Sequence, residues 1–180
     1  MKPILCFLLL AAAHPAFAQK WGTRTGQIDF FSKTPMEDIE ARNKAVSAVV
    51  DPATGGVAVS MNIRDFKFDR ALMQEHFNEN YLESDKYPKA EFRGTLEDSK
   101  AIDWTKDGTY TTRVSGTMTI HGVTKNVATP MQILIKGGKA GVTGTFPIRM
   151  VDYKVDIPKL LTAKIAEQVA VTVLIGLQPL

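Results

Sequence analysis

The stretch Gly116-Thr117-Met118-Thr119-Ile120-His121-Gly122-Val123-Thr124-Lys125-Asn126-Val127 constrains the fold of this chain more than any other. Side-chain types alternate up to Ile120, His121-Gly122 punctuates, and β-branched residues lead away, the pattern of two antiparallel strands around a tight turn. Gly122 supplies the positive φ such a turn needs, which a residue bearing a Cβ adopts only at a cost. A lone hairpin is at best marginally stable in water, so the rest of the chain has to supply strands that extend it.

It does so in order. Gly26 to Phe31 reads as a strand, and Thr34-Pro35 breaks it. Met36 to Ala41 fits either a helical turn or an irregular strand start. Ala45 to Val50 runs into the turn cluster Asp51-Pro52-Ala53-Thr54-Gly55-Gly56. Val57, Val59, Met61 and Ile63 then share one face of a strand, with smaller or polar residues opposite. Asp69 stands where an N-cap would, before a segment from Ala71 to Leu82 in which Met73, Phe77 and Tyr81 recur every fourth residue, predicting one short amphipathic helix.

Beyond Tyr87-Pro88 the pattern is strand, turn, strand. Ala90 to Leu96 presents Phe92, and Asp107-Gly108 signals a hairpin. Tyr110 to Ile120 presents Val114 and Met118; Val127 to Lys136 presents Met131 and Ile133; Gly137-Gly138 turns the chain, and Ala140 to Ile148 presents Phe146. Gln168 to Leu177, with Val169, Val171 and Val173 alternating with Ala170, Thr172 and Leu174, is apolar on both faces, as a central or closing strand should be. About eight strands with hairpin connections and no βαβ crossover predict an all-β barrel or sandwich with one short helix.

The first 18 residues carry Lys2, an apolar run from Ile4 to Ala13 and the small-x-small Ala16-Phe17-Ala18, the form of a signal peptide cleaved after Ala18. The run is shorter than the ~20 residues that span hydrocarbon. Cys6 lies within this leader, so the expected mature domain, 19–180, has no cysteine and must hold together by its core in a periplasmic or secreted setting. Loss of Lys2 from the 22 basic residues leaves 21 against 19 acidic, a net charge of +2, too balanced for a nucleic-acid partner or a polybasic membrane anchor. Pairing of two copies stays open.

Catalytic and metal motifs find little support. His76 and His121 are the histidines left after the leader, with no cysteine, no His-x-x-x-His, no Gly-x-Ser-x-Gly elbow and no phosphate-binding glycine loop. No cofactor or metal site is expected, and His121 at a hairpin turn fits a structural role better than a general base.

Two motifs in order, Glu83-Ser84-Asp85-Lys86-Tyr87-Pro88-Lys89-Ala90-Glu91-Phe92 and then Gly116 to Lys125, resemble the YceI-like family of bacterial secreted proteins, over roughly residues 24 to 177. The resemblance implies an extended, lipocalin-like antiparallel β-barrel of about eight strands. Its interior would bind a long-chain amphiphilic lipid, a polyisoprenoid or fatty-acid derivative, in the periplasm. Val57, Val59, Met61, Ile63, Phe92, Val114, Met118, Met131, Ile133, Phe146, Val169, Val171 and Val173 are then the candidate lining residues, although a filled core would present the same alternation. Where the family shows an Arg-Ser-Asp-Phe-Gly type of block, this chain matches at Arg149 and Asp152, with Tyr153 as the aromatic, and these three are candidates for the cavity mouth. The opening Asp-Pro-x-His-Ser of the family is missing. An enzyme acting on a lipid-like substrate and a solid structural or adhesion module are the alternative classes.

Overall fold

The computed structural model describes residues 19–158 and 163–180; the expected leader, 1–18, lies outside the described residues. Among the described residues nine strands form one antiparallel sheet: β1 (Trp21–Lys33), β2 (Asp38–Asp51), β3 (Gly56–Asn62), β4 (Lys67–Phe68), β5 (Lys89–Leu96), β6 (Gly108–Ile120), β7 (Val123–Lys136), β8 (Lys139–Arg149) and β9 (Gln168–Pro179). The order is β1-β9-β8-β7-β6-β5-β3-β2, and β1 pairs back onto β2, so these eight close into a barrel while the two-residue β4 adds only to the start of β2. Closure decides between barrel and sandwich, and it removes the free edges an open sheet would expose.

The turn at His121-Gly122 has both residues at positive φ, 51° and 70°, the geometry of a two-residue hairpin whose twist matches the flanking strands. β9 closes the barrel between β8 and β1; Val169, Val171, Val173, Ile175 and Leu177 are buried on its inner face, whereas Leu174 on the outer face is 41% exposed. Other expectations change. Of the two readings of Met36 to Ala41 the strand start is the one formed, with β2 beginning at Asp38. Ile63 leaves β3 and enters a 3₁₀ turn, Ile63–Asp65. Asp107-Gly108 is not a tight hairpin: β5 and β6 are joined by residues 97–107, and the Asp107 carboxylate instead accepts from the Gly137 N–H at 2.9 Å. Arg70, not Asp69, occupies the N-cap of the helix α1 (Ala71–His76), with no side-chain cap bond, and a π-type turn, Phe77–Tyr81, carries the helical segment on.

One end of the barrel is solid. The start of β1, the ends of β2 and β9 and the connection 97–107 bring Trp21 against Trp104, ring centroids 5.2 Å apart, over Val50, Leu96, Ile102, Ile133, Ile135 and Leu177, all buried. At the waist the wall draws in. Gly94 and Gly116 face each other across β5 and β6, and a Cβ on either would fall on the other strand's backbone.

That close approach yields a stability prediction. Gly116→Ala should lower the urea midpoint by the equivalent of about 3 kcal/mol, because the methyl group has to displace main chain. Gly141→Ala, whose new Cβ meets nothing within 4 Å, should change stability by less than about 0.5 kcal/mol in the same titration.

Candidate functional site

The other end of the barrel is hollow. A cavity of about 470 Å³ runs inward from α1 and its π-type turn, walled by Ile28, Phe30, Met61, Ile63, Met118, Ile120, Phe146, Ile148, Val169 and Val171. Its wall is overwhelmingly apolar. Phe30, Met61, Met118, Ile120 and Phe146 point inward yet are only half-buried, whereas Ile133 and Ile135 at the solid end are 1% exposed. Identical strand patterning therefore gives a filled interior at one end and solvent-accessible apolar surface at the other. Water in such a space gains little hydrogen bonding from its walls, so apolar matter is the favoured occupant.

A roof of aromatic rings is built on the helical segment. The stripe predicted at Met73, Phe77 and Tyr81 faces the cavity, and Phe77 stacks on Phe30 with centroids 5.6 Å apart and planes at 14°. Phe66 and Phe68 meet both rings edge-on or tilted, Phe68 at 4.9 Å from Phe77. Such pairs add about 0.5–1.5 kcal/mol each beyond area burial, enough to seat a short, uncapped helix. Polar groups reach the cavity at its rim: Glu37 paired with Arg70, then His76, Lys164 and Ser32. Ser32 accepts the Ala166 N–H at 3.0 Å, tying the segment before β9 to β1.

The two sequence motifs meet beside this end. His121 is buried in its turn, its Nδ1 3.1 Å from the Tyr153 carbonyl and its Nε2 2.7 Å from the Glu83 carboxylate, so both ring nitrogens face oxygen acceptors. The Tyr87 ring stands edge-on to the imidazole at 4.5 Å and covers Gly122, where an added Cβ would come within 2.5 Å of the phenol. This cluster locks the connection between β4 and β5, the β6–β7 turn and the connection after β8 to one another. It does not wall the cavity, and among the described residues His121 is bonded to the Tyr153 carbonyl and the Glu83 carboxylate and to no hydroxyl.

Of the candidate lining residues, Met61, Ile63, Met118, Phe146, Val169 and Val171 wall the cavity. Val114, Met131, Ile133 and Val173 are buried in the packed core, Val57, Val59 and Phe92 pack half-buried against it, and none of the seven walls the cavity. None of the three candidate mouth residues lies on the cavity: Arg149 ends β8 with its side chain exposed, Asp152 sits in the 3₁₀ turn Met150–Tyr153, and Tyr153 is buried beneath His121. Chain adjacency to β9 suggested the mouth for them, but Arg149 alternates with the buried Ile148 onto the outer face of β8, and the 3₁₀ turn carries Asp152 and Tyr153 off the cavity. Sequence reasoning missed Glu37, Arg70 and Lys164, which come from three separate connections and share no motif. It also missed the four-phenylalanine cluster, for which the lapse of alternation at Asp65-Phe66-Lys67-Phe68 was the one visible signal.

An antiparallel eight-stranded barrel, solid at one end and apolar and hollow at the other, is the architecture these residues build. The chain belongs to the YceI-like domain family, whose model matches residues 14–177. Among solved structures it is similar to a polyisoprenoid binding domain from Saccharophagus degradans implicated in plant cell wall breakdown, at 14% identity and a TM-score of 0.78, covering 91% of this chain and 99% of that one. It is also similar to Burkholderia cenocepacia BcnA, at 19% identity, TM-score 0.69 and 84% and 94% coverage, and to the Campylobacter jejuni YCEI protein, at 22%, 0.56 and 74% and 81%. At these identities the likeness is one of fold. No curated protein matches the chain.

His121→Ala should destabilise the fold by about 2–3 kcal/mol in urea, since the Tyr153 carbonyl and the Glu83 carboxylate both lose their partner. Burial pushes the pKa of the Tyr81 phenol above its ordinary value, and burial followed by the Asp152 charge does the same for Tyr153. The unfolded chain therefore loses these protons first. Stability contributed by the neutral phenols should be intact below about pH 10 and fall as pH rises beyond it, with the urea midpoint dropping less in Tyr153→Phe than in the wild type.

Proposed function

We propose that this protein is a periplasmic or secreted binding protein that holds an isoprenoid or other long-chain amphiphilic lipid in the open end of its barrel, as a carrier, store or sensor, and performs no catalysis. The observation that carries this reading is the set of half-buried apolar side chains, Phe30, Met61, Met118, Ile120 and Phe146, around a cavity of about 470 Å³. A core built only for stability would close over such residues, because each exposed methylene forfeits ~0.8 kcal/mol. Family membership and the polyisoprenoid-binding description of one structural neighbour support the same ligand class.

Affinity in this scheme is hydrophobic transfer: a dozen buried carbons at ~0.8 kcal/mol each exceed the several kcal/mol of motional freedom lost on binding. The head group stays at the rim, where Arg70, Lys164, His76 and Glu37 offer hydrogen bonds. His121, with Glu83 and the Tyr153 carbonyl on its two nitrogens, serves the fold. The bond from Ser32 to Ala166 and the ion pair from Glu37 to Arg70 hold the rim segments against the mouth.

Mass spectrometry of an organic extract of natively purified protein should reveal a co-purifying amphiphile, and delipidated protein should take up prenyl or acyl chains. Met118→Trp, which fills the cavity, should weaken that uptake at least tenfold while the thermal midpoint stays within a few degrees. An extract free of amphiphile, together with no uptake of either chain type, would sink the proposal.

A further inference from the structure

We infer that the outer face of β7, β8 and β9 is the surface through which two copies of this chain pair, about a two-fold axis that sets Leu174 of each copy on Gly176 of the other. The inference is independent of what the cavity holds.

The face stands out by its charge. Among the described residues, the outward positions 126–134 of β7, 141–147 of β8 and 170–178 of β9 hold glycine, alanine, proline, threonine, leucine, asparagine and glutamine, and no charged side chain. The outer wall elsewhere carries Asp29, Glu40, Arg42, Glu91 and Arg93. Charged residues make up 23% of the chain, so a face of this size without one is a departure, and depletion of charge is what marks the core of a protein interface. Lys136 and Lys139, paired across their turn, bound the face at the solid end of the barrel. Leu134 and Leu174 stand out from it, 49% and 41% exposed. Leu174 is one of the residues that make β9 read as apolar on both sides, and packing within one copy leaves it uncovered.

Glycine gives the second observation. At Gly26, Gly94, Gly116 and Gly144 a Cβ would press on a neighbour within the molecule. Gly141 and Gly176 differ: they lie opposite each other in the β8–β9 ladder on the outer face, and a Cβ on either meets nothing within 4 Å. Glycine inside a strand packs nothing and costs entropy, and it marks the close approach of another backbone or a ligand. Among the described residues no element of the chain makes that approach here, so it comes from outside.

A second copy fits this face in polarity and in shape. An uncharged wall gives a nucleic acid, an anionic membrane or an acidic peptide nothing to pair with, whereas the same wall on another copy matches it. Knob and hole are neighbours: Leu174 and Gly176 point outward from β9 two residues apart. A two-fold axis lying in the face and crossing the strands between them seats each leucine on the other copy's glycine, the self-complementarity that an isologous contact needs. The same axis holds the bounding lysines of the two copies about 20 Å apart, beyond the ~8 Å Debye length of physiological salt. With the near flanks of β6 and β1 the face measures about 19 Å by 27 Å, so a pair buries about 1,000 Å² in all, the least that a specific contact uses. Dissociation therefore falls in the micromolar range.

Sedimentation equilibrium of the mature chain tests this. The wild type should pass from monomer to dimer between about 1 and 500 µM, with an affinity that changes less than about threefold from low to high salt. Leu174→Glu should weaken the association by about tenfold or more. Gly176→Val should weaken it as much while the thermal midpoint stays level or rises, because valine suits an open strand face yet fills the ledge. A chain that stays monomeric at every concentration, a dimer that both variants leave intact, or one whose affinity falls steeply with salt overturns the inference.

Discussion

Pairing of β1 with β2 on one side and with β9 on the other is the interaction on which the rest of the molecule depends. It joins the N-terminal strand to the C-terminal one and turns an open sheet into a barrel, so that inward-facing residues from eight strands surround one interior. The interior of an eight-stranded barrel is just wide enough for side chains to fill or for one small ligand to occupy. Where large residues and two tryptophans converge the interior becomes solid; where the wall is lined but not crossed, a cavity remains. The cavity is thus a by-product of closure, adjusted locally by side-chain volume.

Closure also explains the expense at the waist. Gly94 and Gly116 bring β5 and β6 together more closely than side chains allow, and Gly144 gives Met131 somewhere to lie. Glycine in a strand costs conformational entropy and contributes no packing, so its presence at these inward-facing positions indicates a shape requirement. The mouth is organised differently. Its stability comes from a cluster of rings under a short helix and from the His121 turn, clamped by Glu83, Tyr87 and the Tyr153 carbonyl.

That clamp gives the two sequence motifs a physical meaning. Thirty-eight residues separate Glu83 from His121, and thirty-two separate His121 from Tyr153. Each motif places a residue with no use of its own: a histidine with left-handed backbone, a glycine that must lie beneath a tyrosine, a glutamate at the end of a helical segment. Together they fix the relative position of three connections at the open end of the barrel. The histidine is held from both nitrogens in a turn, which suits a hinge pin better than a proton shuttle.

The sequence by itself determined the strands, the His121-Gly122 turn and the helical stripe of Met73, Phe77 and Tyr81, because each depends on the period of a few neighbouring residues. The YceI-like resemblance added the barrel. Tertiary structure alone decided that Met61, Met118 and Phe146 wall a cavity while Val57, Val114 and Ile133 pack a core, although all six obey the same alternation. It alone brought Glu37, Arg70 and Lys164 to the rim and turned Arg149, Asp152 and Tyr153 away from it. The physical reason is that alternation reports which face of a strand points inward. How far along the barrel axis a residue lies, and what crosses the interior at that level, depends on strands distant in sequence.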